Sequence, residues 1–399
     1  MNKIKNKLKY LEFTDIFSPF IFLFIFPISL IYKGYNKIKK RELWLICEDG
    51  KTARDNGYHF YKYVRSNYPN DFCFYVIDKN ASDYDKVAGL GNIIQFKSFK
   101  HWLYYLSAKY NISNHKHGNP CRSFFYFVHV VLKLYNNRVF LQHGVIKDDL
   151  PFVYYKNARF CLFITSAKKE YEYIKNNFGY PDGIIKNFGL ARFDNLHDIK
   201  INKKQILFMP TWRNWLNTSC DVNDNEFIRT EFYKNWNLLL NDDKLIEYIE
   251  KNDIKIYFYP HQHMQKYLDF FKSKSNNIII ADNSIIDIQQ LLKDSALLIT
   301  DYSSVFMDFA YMNKPVIYYQ FDREEFRKKQ MLKGYFDYDE DGFGKVVFDS
   351  QTAINKIIEL CNNEYIDEKI YEKRRVDFFE IRDKNNSKRT YEYLKKKGK

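Results

Sequence analysis

The chain reads as an α/β protein made of two Rossmann-like domains. Three observations point there. From residue 42 onward, short apolar runs alternate with helical patterns, the βαβ rhythm of an open parallel sheet. A second series of the same kind begins at residue 205, after a polar stretch (HDIKINKK, 197–204) that reads as an interdomain linker. Finally, 399 residues with 34 Tyr and 36 Phe suffice for two domains and two aromatic cores. Gly (14) and Pro (9) are too sparse for a disordered or repetitive chain.

In order, residues 1–41 stand apart. Lys3, Lys5, Lys7 and Lys9 precede an uncharged run, IFSPFIFLFIFPISLIY (16–32), and Lys33, Lys37, Lys39, Lys40 and Arg41 follow it. At about 17 residues the run is short for a bilayer span. Pro19 and Pro27 are expected to interrupt a helix there. Basic flanks around an aromatic-rich apolar stretch fit an anchor lying in the cytoplasmic leaflet, with a true span or burial in the protein as alternatives. Strands are then expected at 43–47, 72–77, 92–96, 111–113, 138–142, 161–165 and 184–188, with helices at 57–66 and 167–178. The second series predicts strands at 205–209, 254–259, 277–281, 296–300, 315–319 and 345–348, and helices at 231–241, 244–252, 264–274 and 286–292. The expected division is a membrane-associating segment (1–41), an N-terminal Rossmann-like domain (42–198), a C-terminal Rossmann-like domain (199–375), and a C-terminal helix with a basic tail (376–399). A cleft is expected between the two domains.

Basic residues outnumber acidic ones to give a net charge of +14. That surplus favours an anionic partner: a phosphorylated substrate, anionic lipid or nucleic acid. No compact basic-aromatic motif of a nucleic-acid reader occurs. The six Cys are scattered without C-x-x-C spacing, which reads as reduced thiols in a cytoplasmic compartment.

Four strand ends carry the chemistry. After the 296–300 strand come Asp301, Tyr302, Ser303 and Ser304, then an expected amphipathic helix. Backbone N–H groups, hydroxyls and the helix dipole there would converge on an anion, although ordinary N-capping uses the same residue types. After the 138–142 strand come His143, Gly144 and Lys147. An imidazole at the carboxyl edge of a sheet is suited to take a proton near neutral pH. Gly144 permits close backbone approach, and Lys147 is placed to pair with a phosphate. After the 254–259 strand, the His261-x-His263 pair has no nearby Cys, Asp or Glu to complete a metal site, and His261, just past the strand, is favoured over His263 to donate a hydrogen bond to a phosphate oxygen. The His115-x-His117 pair is expected in a solvated loop. After the 205–209 strand, Thr211 and Arg213 are expected to meet phosphate oxygens, Arg213 through its planar fork. No acidic cluster offers a cage for Mg²⁺.

Together these segments resemble the CDP-glycerol glycerophosphotransferase family, the teichoic-acid primases and polymerases with relatives in capsule assembly. The resemblance is carried by ILFMPTWR (206–213), YPHQH (259–263), LLKDSALLITDYSSVFMDFAYMNKPVIYYQFDREEF (291–326) and GYFDYDEDGFGKVV (334–347). GLARFDNL (189–196) is similar to the family's Gly-x-Pro-Arg-x-Asp-x-Leu, with Ala191 where Pro is usual. Where the family has Trp-His-Gly-Thr-Pro-x-Lys, this chain has Gln142-His143-Gly144-Val145-Ile146-Lys147.

The resemblance implies a GT-B-like fold, a CDP-glycerol or CDP-ribitol donor with no tightly bound cofactor, and peripheral or monotopic attachment to the cytoplasmic face of the membrane. It also implies functional roles for His143 and His261. The expected reaction is transfer of an alditol phosphate to a hydroxyl of a lipid-linked or capsular acceptor, with CMP released. His143, in the N-terminal acceptor domain, would be the base, facing a diphosphate held in the C-terminal donor-binding domain by Thr211, Arg213, His261, Ser303 and Ser304, with Asp301 bracing the donor-binding turn or meeting a sugar hydroxyl. Nucleic acid is not an expected partner. The alternative is a GT-B glycosyltransferase that uses a nucleotide sugar in cell-surface polysaccharide synthesis.

Overall fold

The computed structural model describes residues 13–116, 118–135, 137–216, 224–282 and 287–397. The chain divides into two compact units. Unit 1 comprises Met1–Val145, Pro151–Asn195 and Asp383–Lys399; unit 2 comprises Ile146–Leu150 and Leu196–Arg382. The C-terminal helix Asn386–Lys397 therefore returns to the first unit, and the short Ile146–Leu150 segment belongs to the second.

Unit 1 is built on a seven-stranded sheet ordered β3-β2-β1-β4-β5-β6-β7. Its strands are β1 (Trp44–Ile46), β2 (Cys73–Ile77), β3 (Ile93–Gln95), β4 (Tyr110–Ser113), β5 (Arg138–Phe140), β6 (Leu162–Thr165) and β7 (Ile185–Asn187). Every pairing is parallel. Alternation along β1 explains the layers, because successive side chains of a strand point to opposite faces. Trp44 and Ile46 enter a core with Phe60, Tyr61, Tyr391 and Leu394. Leu45 and Cys47 enter another with Trp102, Phe125 and Ile25.

Ile25 lies on the helix Phe13–Ile38, which runs unbroken through Pro19 and Pro27. The expected interruption does not occur. Each proline removes one backbone bond, while packing on helices Phe99–Ser107 and Arg122–Tyr126 holds one face in place. Ser18, Ile25, Ser29 and Asn36 on that face are buried. The other face leaves Phe20, Leu23, Phe24, Leu30 and Ile31 more than half exposed. Within this helix, the stretch Ile16–Ile38 contains an 18-residue window with a mean hydropathy of 1.9 and is long and apolar enough to cross a membrane by length and composition.

Unit 2 carries a six-stranded parallel sheet ordered β10-β9-β8-β11-β12-β13. Its strands are β8 (Asn202–Met209), β9 (Lys255–Phe258), β10 (Ile278–Ile280), β11 (Ser295–Thr300), β12 (Val316–Tyr319) and β13 (Gly344–Val347). Each sheet reverses its strand order once, at β1/β4 and at β8/β11. Ligands of open α/β sheets bind outside the carboxyl ends of the strands at such switch points. Two expected helices differ. In place of an α-helix over 264–274, a 3₁₀ helix, Gln262–Phe270, forms. The helix after the tandem serines is only Phe306–Tyr311 and is buried on every face rather than amphipathic. The expected 286–292 helix is observed as Ile288–Asp294, with residue 286 outside the described residues.

Lys314, part of the family-like motif, has a structural task. Its ammonium donates to the carbonyls of Leu292, Lys293 and Ser295, tying the end of one helix to the start of β11. The described cysteines, Cys47, Cys73, Cys121, Cys161 and Cys361, are free thiols. Cys220 lies outside the described residues.

Candidate active site

In unit 1, β5 ends in a turn that presents His143. Gln142 has a left-handed backbone (φ 62°), a conformation that non-glycine residues adopt rarely and usually under tight constraint. The constraint is visible. The buried Gln142 side chain donates to Ile164 O at 2.5 Å and to Glu170 at 3.0 Å, and the Gln142 backbone carbonyl accepts from the Asn56 side chain at 2.7 Å. The turn leaves the His143 side chain 67% exposed.

Behind His143 stands Asp55, at the N-terminus of the helix Asn56–Asn67. Its Oδ2 meets His143 Nδ1 at 2.5 Å and accepts from Asn114 at 2.6 Å, while its Oδ1 accepts from Arg192 at 2.7 Å. Arg192 also donates to the His143 carbonyl at 2.6 Å. Glu48, at the end of β1, accepts from the backbone N–H groups of Arg54, Asp55 and Tyr58 and so fixes the loop that carries Asp55. The surrounding protein works against charge on His143, but the Asp55 carboxylate outweighs it and raises the imidazole's pKa. Asp55 itself is held well below the carboxylate range: Arg192 and His143 overcome the opposing effect of burial. With Nδ1 held by Asp55, Nε2 is the nitrogen left for a substrate proton.

Sequence reasoning did not single out Asp55, Asn114, Glu48 or Arg192. Arg192 lies inside the GLARFDNL segment, the one signal available. In that segment Asp194 accepts from the backbone N–H groups of Asn386 and Ser387, which anchors the C-terminal helix. His115 departs from the solvated-loop expectation. Its ring stacks on His143 with centroids 5.0 Å apart, and burial lowers its pKa. His117 lies outside the described residues.

In unit 2, three of the expected strand ends converge. Asp301 Oδ1 accepts from the backbone N–H of Thr211 at 2.8 Å and of Tyr302 at 2.6 Å, stitching the end of β8 to the end of β11. The His261 N–H donates to the Pro210 carbonyl at 3.3 Å, joining β9 to the same place. Trp212 packs beside both histidine rings, 6.0 Å from His261 and 5.1 Å from His263, and the two imidazoles are 5.2 Å apart. His261 Nδ1 accepts from the His263 N–H at 3.2 Å. Ser303 Oγ accepts from the Val305 N–H at 3.3 Å, which leaves its proton available to a ligand. Ser303 and Ser304 are partly exposed. The Thr211 hydroxyl is buried with no hydrogen-bond partner among the described residues, a state usual only where a ligand or water completes the bond.

Arg213 corrects the sequence reading. It is fully buried and caged by the rings of Tyr302, Phe232 and Phe326. Its guanidinium pairs with Asp301 at 2.9 Å and with Asp322 at 2.7 Å. These carboxylates outweigh burial and raise its pKa. Asp301 is equally buried. Arg213 therefore braces the tandem-serine turn rather than facing a phosphate, and Asp301 takes the bracing role that is one of its two expected readings. Asp322, which also accepts from the Tyr302 hydroxyl at 3.0 Å, was not foreseen. Lys147 is corrected too. It is 5% exposed and ion-paired with Asp148. Burial lowers its pKa against the opposing pull of that carboxylate. Among the described residues no cluster of three His, Cys, Asp or Glu side chains is arranged to hold a metal ion.

Comparison with known proteins now identifies the class. Residues 29–396 match the family model of CDP-Glycerol:Poly(glycerophosphate) glycerophosphotransferase, and the chain belongs to this family. It is 33% identical over 371 residues to the minor teichoic acid biosynthesis protein GgaB of Bacillus subtilis, covering 91% of this chain and 40% of that protein. It is 25% identical over 374 residues to a teichoic acid poly(glycerol phosphate) polymerase of Bacillus spizizenii, covering 84% of this chain and 88% of that one. The chain thus spans less than half the length of GgaB and of a similar polymerase from Bacillus subtilis, of which it covers 48%. In fold it is similar to the wall teichoic acid polymerase TagF, with a TM-score of 0.65 at 16% identity over 92% of this chain and 97% of that one. That likeness supports the GT-B-like architecture.

Proposed function

We propose that the chain transfers an alditol phosphate, glycerol phosphate from CDP-glycerol, to a hydroxyl of a membrane-linked or capsular acceptor. The observation that carries this is the Asp55–His143 pair at the carboxyl edge of the unit 1 sheet, in a chain of this family. In the proposed step the acceptor hydroxyl gives its proton to His143 Nε2 as its oxygen bonds to the phosphorus that bears glycerol. The bond from that phosphorus to the bridging oxygen of the diphosphate breaks, and CMP leaves with the electron pair. Gly144 gives the acceptor room beside the base. Unit 2 holds the diphosphate through the Thr211, Ser303 and Ser304 hydroxyls and His261, while Arg213 and Asp301 keep the turn in shape. Such a reaction depends chiefly on positioning and electrostatic stabilisation.

The exposed face of the helix Phe13–Ile38, with Lys33, Lys37, Lys39, Lys40 and Arg41 beyond its apolar stretch, serves to rest the protein on an anionic membrane. This placement raises the local concentration of a lipid-linked acceptor.

Parallel incubation with CDP-glycerol and CDP-ribitol, followed by mass spectrometry of the extended acceptor, tests the reaction. A new phosphodiester with one CMP per unit added supports it. A glycosidic bond formed from a nucleotide sugar, with a nucleoside diphosphate released, refutes it. Retained transfer after EDTA treatment supports a reaction that needs no protein-bound metal, and loss restored by Mg²⁺ counts against that.

A further inference from the structure

Positive charge collects beside the proposed base in unit 1, with no carboxylate to match it. The loop after β4 carries His115, whose ring stacks on His143, and then Lys116. Arg122 opens the helix Arg122–Tyr126, and Arg138 opens β5. Burial, then Arg138 and then Arg122 lower the Lys116 pKa to about 8, and no carboxylate offsets them. Among the described residues Lys116, Arg122 and Arg138 form no ion pair. The carboxylates that act on His115 have partners of their own. Asp55 holds His143, Asn114 and Arg192, and Asp49 accepts from the N–H groups of Lys51 and Thr52 at 2.8 Å. Like charges gathered this way repel one another, and a bound anion relieves that repulsion.

Three of these groups also present surface. Arg122 is exposed, and His115 and Lys116 are half-buried. Neither the Arg122 guanidinium nor the His115 ring makes a hydrogen bond among the described residues. Lys116 donates to the Phe152 carbonyl at 2.9 Å, which leaves the rest of its protons for a ligand. Arg138 adds charge from below. It is 7% exposed, and its Nε has no hydrogen-bond partner among the described residues. The cavity it shares with His115 and Lys116 measures about 10 Å³. That is room for a water at most, so a larger anion rests outside it, against the three accessible groups. We infer that His115, Lys116 and Arg122 take a phosphodiester of the acceptor, next to the hydroxyl that His143 deprotonates. This rests on the reaction under the proposed function. That reaction generates such an acceptor, because each transfer leaves a phosphodiester with a new free hydroxyl beyond it. The site therefore favours an acceptor that already carries alditol phosphate over an uncharged one. It is separate from the seat of the donor diphosphate, which is assigned to unit 2.

Calorimetric titration of the full chain with glycerophosphoglycerol and with CMP tests the inference in the parent protein, in Lys116→Gln and in Arg122→Gln. Co-sedimentation of the same proteins with phosphatidylserine–phosphatidylcholine vesicles separates an acceptor phosphate from a lipid headgroup. The expected result is a rise of about five- to tenfold in the Kd of glycerophosphoglycerol in each variant, the loss of one charge-assisted hydrogen bond. CMP affinity and vesicle binding should stay as in the parent. Unchanged glycerophosphoglycerol affinity in both variants would overturn the inference, as would the absence of saturable binding to the parent. Weaker vesicle binding with glycerophosphoglycerol affinity intact would assign the cations to lipid headgroups and overturn it too. If both variants weaken glycerophosphoglycerol binding in a chain that transfers no glycerol phosphate from CDP-glycerol, the anion site stands and the proposed reaction fails. If transfer to glycerophosphoglycerol proceeds with an unchanged acceptor KM in both variants, the reaction stands and this inference fails.

Discussion

His143 and Arg213 both follow strand ends, and both are held by partners that a linear reading hides. His143 was legible because it follows an apolar strand and precedes a glycine. Asp55 was not, because it lies 88 positions earlier and nothing local distinguishes it from any helix-capping aspartate. Replacing Asp55 with Asn should lower the transfer rate and move its pH dependence. A base must be unprotonated, so the rate falls as pH drops through the His143 pKa, which Asp55 raises. Removing that carboxylate should shift the acidic limb of the pH–rate profile to lower pH; a limb that stays in place would show that Asp55 does not tune the imidazole. Arg213 makes the opposite point. Its residue type and its position after a strand suggested a phosphate contact, yet only the fold reveals the two carboxylates that claim it. Arg213→Met should destabilise unit 2 by about 3–5 kcal/mol, because it strands Asp301 and Asp322 in a buried site. Thermal denaturation with the melting temperature unchanged would contradict this.

At the scale of elements, most strands were readable within one to three residues, because fully buried parallel strands appear as apolar runs bounded by polar turns. The Phe13–Ile38 helix was misread at its prolines, since local rules do not register the neighbouring helices that hold it. The buried helix Phe306–Tyr311 was misread for a related reason: its length is set by what packs around it. Lys314 ties two elements by donating to three carbonyls. Lys314→Met should cost about 2–3 kcal/mol, as expected for hydrogen bonds from a charged donor, detectable as a lower denaturation midpoint at an unchanged slope. The long helix also decides how membrane binding should be tested. Deleting it would strip Ile25 and its neighbours from the unit 1 core, so the informative variant alters only its outer face. Phe20→Gln, Phe24→Gln and Ile31→Gln together should reduce co-sedimentation with vesicles containing anionic lipid by roughly tenfold or more, given the apolar area removed, while leaving thermal stability nearly intact. Undiminished sedimentation would mean the helix does not rest on lipid.

For the whole molecule, the two sheets divide the labour of the proposed reaction. In that proposal unit 1 supplies His143 held by Asp55, and unit 2 supplies the hydroxyls of Thr211, Ser303 and Ser304 around the turn that Asp301 and Arg213 brace. The family and the two-sheet plan were legible in the sequence, because strand-end motifs survive as short contiguous strings. The supporting network was not, because Asp55, Asn114, Arg192 and Asp322 are gathered from separate segments that only the topology brings together. The mechanism turns on His143 acting on the acceptor and not on the donor. Its most direct test measures, on one preparation of His143→Ala, both the transfer rate and the Kd for CDP-glycerol. The expected result is a rate lower by about 10²–10⁴-fold with donor affinity essentially unchanged; a full rate, or a matching loss of donor affinity, would contradict it.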